Sequence, residues 1–351
     1  MNIGIIGLPL SGKTLLFTSL VGNSFRKEEH PLEKLTLCSG NLKLEDKRLL
    51  HLAQVFGSRK ITFPEIKIQD IIFYEREKEK WSVPPLLREV AGFVGVLRCF
   101  EYPGLIFPDP LRERRYIEEE LILKDLEIVQ KRIARIEQEM KKGKKDEEKE
   151  FLVLQKINHF LEENRSLREV SLNPGEEKML HGFKFLSQKP IFFVLNLDER
   201  MGLKEVEEIK KQVITEKNNF IFASLKLESE LSEMKTEEQR DFLESFGFQE
   251  SLQERFLSAC FNYLGLVVFF TVKGEEARAW LINRNTPALK AAGEIHSDME
   301  KGFIKAEVIN YQDFLKAGSS LGEAKKMGLL RMEAKEYLVQ DGDIIDFRFA
   351  L

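Results

Sequence analysis

The feature that most constrains this chain is a glycine-containing octapeptide near its beginning. It fits the pattern Gly-x-x-x-x-Gly-Lys-Ser/Thr and reads Gly7-Leu8-Pro9-Leu10-Ser11-Gly12-Lys13-Thr14. The apolar, β-branched run at residues 2–6 predicts a buried strand before it, and residues 14–21 predict a helix after it. In that context the loop's N–H groups and the helix N-terminus face one anion. We predict that residues 7–14 bind nucleotide phosphates, with Lys13 on the β- and γ-phosphates and the Thr14 hydroxyl on Mg²⁺.

Further apolar runs have the same character as the first strand. They lie at residues 93–97, 190–195 and 221–223, separated by stretches that predict helices. Strands that alternate with helices indicate a doubly wound parallel α/β sheet. We therefore predict a P-loop NTPase sheet of the G-domain type.

A charged segment between residues 112 and 170 interrupts this alternation. Its apolar residues recur at intervals of four and three, which is typical of a coiled-coil seam, and they are Ile122, Leu126, Val129, Ile133, Ile136 and Met140. A second stripe follows Gly143, at Leu154, Ile157 and Leu161. This pattern predicts an inserted antiparallel helical hairpin, and the alternative is one long, solvent-exposed helix.

The sequence changes character again at residue 266. Strands are predicted at residues 267–272, 277–282, 306–309, 337–340 and 344–349, with one helix around residues 311–316. The Asp341-Gly342-Asp343 turn predicts that the last two strands form a hairpin. We predict a nucleotide-binding domain from residues 1–111 and 171–265, a hairpin at 112–170, and an α+β domain at 266–351.

The tetrapeptide Asn196-Leu197-Asp198-Glu199 follows the 190–195 strand, at the sheet edge where ligands of such folds bind. Guanine-specific P-loop proteins carry Asn-Lys-x-Asp here, and Glu199 is too long to make the paired contact of that Asp with guanine. We predict a base site formed by Asn196, Leu197 and Glu199, together with Ser224 and Leu225 after the next strand. The alternative is a plain surface loop.

Several longer motifs occur in an order that resembles the YchF-type, Obg-related ATPase family over nearly the whole chain. They lie at residues 7–14, 88–90, 97–101, 120–127, 196–199, 277–280, 291–298, 300–308 and 339–343. The resemblance implies that residues 266–351 form a β-grasp TGS domain. It also implies preference for ATP over GTP, slow hydrolysis, and association with ribosomes or translation factors.

The chain departs from that family at the loops that sense the γ-phosphate. Family members usually carry Asn at the position of Leu10 and Val at that of Ser11. Their second switch begins Asp-x-x-Gly, whereas the stretch that starts at Asp70 contains no glycine up to Lys78. In the first switch, the position of a Mg²⁺-ligating Thr is occupied by Lys34, two residues before Thr36.

These departures leave two functions open. One is a slow ATPase associated with translation. The other is a catalytically weak nucleotide sensor that docks partners through the hairpin and the TGS domain. For Asp70 the expectation is a second-shell acid of Mg²⁺, and the alternative is an ordinary acid at a strand end. Dual use of ATP and GTP is a third possibility.

Charge and composition set the remaining expectations. A net charge of −4 favours neither a general nucleic-acid binder nor a membrane-surface protein. No apolar run reaches the roughly 20 residues that span a bilayer, and three scattered cysteines fit a reducing cytoplasm. Four lysines at the hairpin turn, Lys141, Lys142, Lys144 and Lys145, form a candidate contact with ribosomal RNA. A solvated tip is the alternative.

Overall fold

The structure is a computed structural model, and it describes residues 1–31, 34–73, 82–105, 108–142, 147–213, 220–231 and 250–350. Its strands are β1 (Asn2–Ile6), β2 (Arg26–His30), β3 (Leu35–Lys43), β4 (Lys60–Thr62), β5 (Glu65–Phe73), β6 (Gly92–Cys99), β7 (Ile191–Leu197), β8 (Phe220–Ala223), β9 (Leu266–Lys273), β10 (Glu276–Asn283), β11 (Phe303–Asn310), β12 (Arg331–Glu333) and β13 (Asp343–Phe349).

Its α-helices are α1 (Lys13–Val21), α2 (Lys47–Phe56), α3 (Pro110–Lys141), α4 (Glu148–Glu162), α5 (Pro174–Leu180), α6 (Leu203–Val213), α7 (Leu225–Leu231), α8 (Leu252–Tyr263), α9 (Ala288–Ile295), α10 (Ser297–Lys301), α11 (Tyr311–Lys316) and α12 (Leu321–Lys326). Short 3₁₀ helices lie at Pro85–Glu89, Leu167–Glu169 and His181–Phe183.

The chain divides into two compact units. The P-loop unit comprises Asn2–Gly40 and Lys67–Ala259, and the C-terminal unit comprises Met1, Asn41–Ile66 and Cys260–Leu351. A segment from the first fifth of the chain thus belongs to the same unit as the chain's end. The finer boundaries predicted at residues 111, 171 and 266 stay a prediction.

The P-loop unit is built on a seven-stranded sheet in the order β2-β3-β5-β1-β6-β7-β8. β1 pairs in parallel with β5 and β6, β6 with β7, and β7 with β8, whereas β2 and β3 are antiparallel. Every residue of β6 and β7 is buried, as the unbroken apolar runs predict for strands covered on both faces. The predicted α/β class is confirmed. Because these strands are parallel, the carboxyl ends of β1, β6, β7 and β8 lie along one edge of the sheet.

The predicted helical hairpin is present as α3 and α4. Ile122, Val129 and Ile136 of α3 are buried against Leu154, Ile157 and Leu161 of α4, so the seam faces the partner helix. Arg132 bonds Glu147 and Glu150 toward one end of the pair, while Asn164 bonds Glu119 toward the other. These contacts make the two helices antiparallel and exclude one long exposed helix. The predicted turn residue Gly143 lies outside the described residues.

A buried carboxylate fixes the base of the hairpin. Asp125 of α3 is fully buried and accepts hydrogen bonds from the backbone N–H groups of Leu186 and Ser187, at 3.0 and 2.7 Å. The Arg88 guanidinium donates to the same carboxylate at 2.9 Å. Arg88 also donates to the Lys124 carbonyl at 3.1 Å. Asp125 therefore joins the hairpin to two other segments of the P-loop unit, one at Arg88 and one at Leu186 and Ser187.

The C-terminal unit contains a six-stranded sheet in the order β12-β11-β13-β9-β10-β4. Helix α9 packs alanines against one face of this sheet. Helix α2 also packs on strands β9 and β10, where the Arg48 guanidinium lies 5.2 Å from the Phe270 ring centroid. Phe56 of α2 stacks on Phe314 of α11 at 5.6 Å. Residues 41–66 therefore supply both a covering helix and an edge strand, β4, to a unit that the chain completes much later.

One predicted strand of this unit is wrong. Residues 337–340 form no strand; Leu338 makes only an isolated bridge to Pro287, and β13 pairs with β11 and β9. The buried Asp343 carboxylate accepts from the Gln340 N–H at 2.9 Å and from the Tyr337 hydroxyl at 2.7 Å. These bonds fold the segment into a turn, so the expected hairpin does not form.

The helix predicted around residues 311–316 is confirmed as α11, whereas α9, α10 and α12 were not predicted. The buried side of α9 consists of Ala288, Ala291 and Ala292, which give little hydrophobic periodicity in the sequence. Among the described residues, no helix has the length and apolar character that crossing a membrane requires.

Replacing Asp125 with Ala is expected to lower the free energy of unfolding of the P-loop unit by about 3 kcal/mol, because it leaves the Arg88 charge and two buried N–H groups unpaired. Urea unfolding followed by circular dichroism measures this loss. Glu127→Ala is the control on the same helix, because Glu127 is 55% exposed and 3.6 Å from Lys124. We expect the control to change stability by less than about 0.5 kcal/mol. Equal losses in the two variants would contradict the role given to Asp125.

Candidate nucleotide-binding site

The octapeptide lies between β1 and α1 and makes a turn that needs its two glycines. Gly7 has φ +156°, and a Cβ there would lie 2.6 Å from the Val96 carbonyl oxygen of β6. Gly12 has φ +102°, and a Cβ there would collide with the Asn196 side-chain amide. The backbone is thus packed against β6 and β7 with no room for side chains. Such close approach leaves the loop's backbone as the surface that meets a ligand.

Leu10 is held in the left-handed region, with φ +63°. This conformation costs an ordinary L-residue about 1–2 kcal/mol, and Asn tolerates it better than Leu does. The position is the one at which the resembling family usually carries Asn. The loop therefore keeps its bend although the residue suited to that bend is absent.

Lys13 and Thr14 begin helix α1 and point to the same side of the loop as Asp70. The Lys13 ammonium donates to the Leu8 carbonyl at 2.8 Å, and the Thr14 hydroxyl donates to Asp70 Oδ2 at 2.8 Å. Burial lowers the pKa of Lys13, and the carboxylates of Asp70 and Glu113 act in the opposite direction. A partly desolvated ammonium beside a loop of N–H groups suits an anion such as a phosphate.

Asp70 is fully buried near the end of β5, next to Thr14. Burial raises the pKa of Asp70, while the Thr14 hydrogen bond and the Lys13 charge lower it. Its second oxygen, Oδ1, has no hydrogen-bond partner among the described residues. A buried carboxylate oxygen without a partner next to a threonine hydroxyl offers the hard oxygen donors that Mg²⁺ prefers, directly or through water. The residues present therefore fit the ion.

The predicted base residues converge around Asn196. This side chain is 4% exposed; its amide donates to the Ser11 carbonyl at 3.0 Å and its Oδ1 accepts from the Leu225 N–H at 3.1 Å. Asn196 thereby joins the phosphate loop to the beginning of α7. Ser224, the residue between β8 and α7, is buried, and its hydroxyl has no hydrogen-bond partner within the described part of the chain.

The other predicted base residues differ in what they present. The Leu197 side chain is buried in the core of the P-loop unit, and Leu225 is likewise fully buried. Glu199 accepts a hydrogen bond from Lys226 at 2.6 Å, and both side chains reach solvent. Asp198 is bound by Arg200, whose hydrogen bonds lower the pKa of Asp198 to about 2. Glu199 is therefore the carboxylate of this tetrapeptide that contacts the first turn of α7.

The structure adds one buried pair that sequence reasoning missed. Arg98, the residue of β6 that pairs with Asn196, donates its backbone N–H to Glu113 of α3 at 3.0 Å. The two side chains also approach to 3.5 Å. Burial raises the pKa of Glu113, and the bonds from Arg98 lower it. In the sequence Glu113 is one acid in a highly charged helix, so no local signal distinguishes it.

Several predicted residues fall at or beyond the edge of what the structure describes. In the second switch, Asp70 to Phe73 belong to β5, and the stretch from Tyr74 to Lys78 lies outside the described residues. Lys34 is exposed with φ +52°, and Thr36 lies in β3. Lys141 and Lys142 are exposed at the end of α3, whereas Lys144 and Lys145 lie outside the described residues.

Comparisons with known proteins agree with this arrangement. The sequence profile of YchF-GTPase_C, described as "Protein of unknown function (DUF933)", matches residues 266–350. The "Ribosome-binding ATPase YchF" of Bacillus subtilis is 33% identical, and the alignment covers 99% of both chains. The protein of the same name from Haemophilus influenzae is 32% identical over 99% of this chain and 98% of its own.

Solved structures share the fold. The YchF GTPase of Schizosaccharomyces pombe superposes with a TM-score of 0.76 at 22% identity, covering 99% of this chain and 97% of that one. A GTP-binding protein from Pyrococcus horikoshii gives a TM-score of 0.59 at 15% identity over the full length of both. With relatives above 30% identity along its whole length and the same P-loop fold, this chain belongs to the YchF family.

Proposed function

We propose that the chain binds a purine nucleoside triphosphate with Mg²⁺, prefers ATP to GTP, and hydrolyses it slowly in association with the ribosome. The observation that carries the proposal is the loop from Gly7 to Thr14, whose two obligate glycines bring bare backbone and the Lys13 ammonium to one place. The relatives with 30–33% identity bear the name ribosome-binding ATPase, which supports the association with ribosomes. That association implies a cytoplasmic protein.

Different residues of the site contact the phosphates, the metal ion and the base. The N–H groups of residues 7–14 and the Lys13 ammonium hold the phosphates, because a loop at a helix N-terminus concentrates positive potential. Thr14 and Asp70 would hold Mg²⁺, and the ion would supply positive charge against the phosphate oxygens. The base site consists of Asn196, Leu197 and Glu199 with Ser224 and Leu225; of these side chains Glu199 reaches solvent, whereas those of Leu197 and Leu225 are buried. The Asn196 amide has a second N–H beyond its bond to Ser11, and we assign that donor to the purine ring.

ATP preference rests on Glu199. Guanine recognition in P-loop proteins needs an Asp carboxylate that accepts from N1–H and the 2-amino group together. Glu199 is longer by one methylene and is held by Lys226 at 2.6 Å. The position therefore lacks the paired acceptor that would favour guanine, and adenine is admitted.

A catalytically weak nucleotide sensor is the second candidate function. It is favoured by the sequence from Asp70 to Lys78, which has no glycine where the family's second switch has one. In such a protein the nucleotide would order the loops without rapid cleavage, and the hairpin, with Lys141, Lys142, Lys144 and Lys145 at its tip, would contact ribosomal RNA or a translation factor.

Lys13→Ala is expected to weaken ATP binding at least about 100-fold, because it removes the charge that meets the β- and γ-phosphates. Calorimetric titration with ATP, ADP and GTP in the presence of Mg²⁺ measures the effect. Lys149→Ala, which removes an exposed lysine from α4, serves as the control and should bind like the parent. Unchanged ATP affinity in Lys13→Ala would refute the phosphate site.

Phosphate release from the same samples separates the two functions. Release that disappears in Lys13→Ala identifies an ATPase. ATP binding without release, or equal affinity for ATP and ADP, identifies the sensor.

Asp70→Asn is expected to abolish most of the gain in ATP affinity that Mg²⁺ gives the parent protein, because a neutral amide is a poor ligand for the ion or its waters. Titrations with Mg²⁺ and with EDTA provide the comparison. Glu65→Gln changes an exposed acid at the other end of the same strand and should keep the full Mg²⁺ effect. An undiminished Mg²⁺ effect in Asp70→Asn would remove Asp70 from the metal site.

Glu199→Asp is expected to raise GTP affinity relative to ATP by about three- to tenfold, because the shorter carboxylate regains the paired contact with guanine. Glu199→Gln removes the charge without shortening the side chain and should give no such gain. Competition between the two nucleotides gives the ratio directly. A ratio that does not move in Glu199→Asp would mean that this position does not face the base.

A further inference from the structure

The C-terminal unit has a cavity of about 270 Å³ at one end of its sheet, beside α9 and α10. Its apolar part is formed by Ile345 and Phe347 of β13, with Ile295 and Met299 from the two helices. Its polar part comes from β9 and β10, which contribute Lys273 and Arg278. The indole of Trp280 also lines the cavity, and we call it the Trp280 pocket.

Arg278 lies over the indole of Trp280. Its guanidinium carbon lies 3.9 Å from the Trp280 ring centroid, and the indole N–H donates to the Thr271 hydroxyl at 2.9 Å. Stacking leaves the N–H edges of a guanidinium free to bind a carboxylate or phosphate with two parallel hydrogen bonds. The Arg278 guanidinium is thus placed over the indole, and within the described part of the chain its N–H groups donate no hydrogen bond.

The lining contains two acids and two bases, and each acid has a cationic partner outside the lining. The hydrogen bond from Thr62 lowers the pKa of Glu276, and the charge of Arg278 also contributes to lowering it. Glu276 accepts from Thr62 at 2.7 Å and pairs with Lys60 at 3.0 Å, while Asp346 pairs with Arg348 at 3.1 Å. Among the described residues, Arg278 and Lys273 have no carboxylate within 4.0 Å, and Lys273 only faces the Phe349 ring at 5.9 Å. Two unpaired cations beside an apolar cavity are complementary to a ligand that carries both a carboxylate and an apolar group.

The size and the aromatic contacts decide the class of that ligand. Cavities that hold whole small molecules usually measure about 300–1,000 Å³, so this one suits a single side chain better than a complete nucleotide. The indole is already stacked against Arg278 and, at a centroid distance of 6.3 Å, against Phe269. This leaves little aromatic surface for a nucleobase, which disfavours single-stranded RNA.

We propose that the Trp280 pocket binds an acidic segment of a partner protein, with a bulky apolar side chain in the cavity and a neighbouring Asp or Glu carboxylate on Arg278. The site is independent of the nucleotide site, because every residue that lines it belongs to the C-terminal unit. Lys273 adds a second positive charge at the rim and extends the preference to segments with more than one acid.

The test uses the full chain labelled with 5-fluorotryptophan and observed by ¹⁹F NMR. The sequence contains two tryptophans, Trp81 and Trp280, and the spectrum of Trp81→Phe identifies the Trp280 resonance. The probe is the capped dipeptide acetyl-Phe-Asp-amide, and its two matched twins are acetyl-Phe-Asn-amide and acetyl-Ala-Asp-amide. We expect a saturable shift of Trp280 with a Kd of about 1–10 mM for the first probe. Either twin should bind about tenfold more weakly.

Arg278→Gln should weaken the binding of acetyl-Phe-Asp-amide to the affinity that the parent protein has for acetyl-Phe-Asn-amide. Arg331→Gln is the matched control, since Arg331 also lies over an aromatic ring, that of Tyr337 at 5.5 Å, outside the pocket. Near-ultraviolet circular dichroism verifies that both variants are folded. Unchanged binding in Arg278→Gln, equal binding of the acidic and Asn probes, or no Trp280 shift up to about 50 mM peptide would overturn the proposal.

An oligouridylate ten-mer provides the nucleic-acid arm of the test. The peptide assignment would be overturned if this RNA shifted the Trp280 resonance, if Arg278→Gln removed that shift, and if the acidic dipeptide did not compete with the RNA. The pocket would then be an RNA contact. Dipeptide binding that the RNA does not displace supports it. Nucleotide titrations of Arg278→Gln should match the parent protein, so failure of the proposed ATP site and failure of this pocket remain distinguishable.

Discussion

A single side-chain amide holds the nucleotide site together. Asn196 donates to the Ser11 carbonyl and accepts from the Leu225 N–H, so β7 fixes the phosphate loop and the beginning of α7 in one bond network. The same contact requires glycine at position 12, since a Cβ there would displace the Asn196 amide. Both bonds are buried, where an unmet donor or acceptor costs about 1–3 kcal/mol. The loop that contains Ser11 and the beginning of α7 are therefore joined through one buried side chain.

Buried carboxylates extend this network to the hairpin. Glu113 in the first turn of α3 binds Arg98, whose partner across the sheet is Asn196, and Asp125 further along the helix binds Arg88 and two N–H groups. The long helix is thus attached by directional bonds at its base, while farther out the apolar seam is accompanied by the Arg132 ion pairs with Glu147 and Glu150. The first turn of α3 is therefore bonded directly to the end of β6, at the residue that pairs with Asn196.

The sequence allowed prediction of what depends on local pattern. Three features follow from local sequence patterns. They are the strand, glycine turn and helix around Lys13, the apolar runs of β6 and β7, and the heptad-like seam of α3. Features decided by one buried polar side chain or by small buried residues were not predicted. Residues 337–340 form a turn instead of the expected strand because the Gln340 N–H and the Tyr337 hydroxyl donate to the buried Asp343, and α9 buries an alanine face with little hydrophobic signal.

The C-terminal unit is discontinuous in the chain, and this imposes an order on its synthesis. Helix α2 buries Leu49, Leu52 and Ala53, yet strands β9 and β10, on which it packs, are made roughly 200 residues later, which at about 5–20 residues per second is a delay of about 10–40 s. During that interval a nascent chain displays an amphipathic helix with no sheet to cover it. The apolar face of α2 therefore meets its sheet only after the whole P-loop unit, whose last residue is Ala259, has been made.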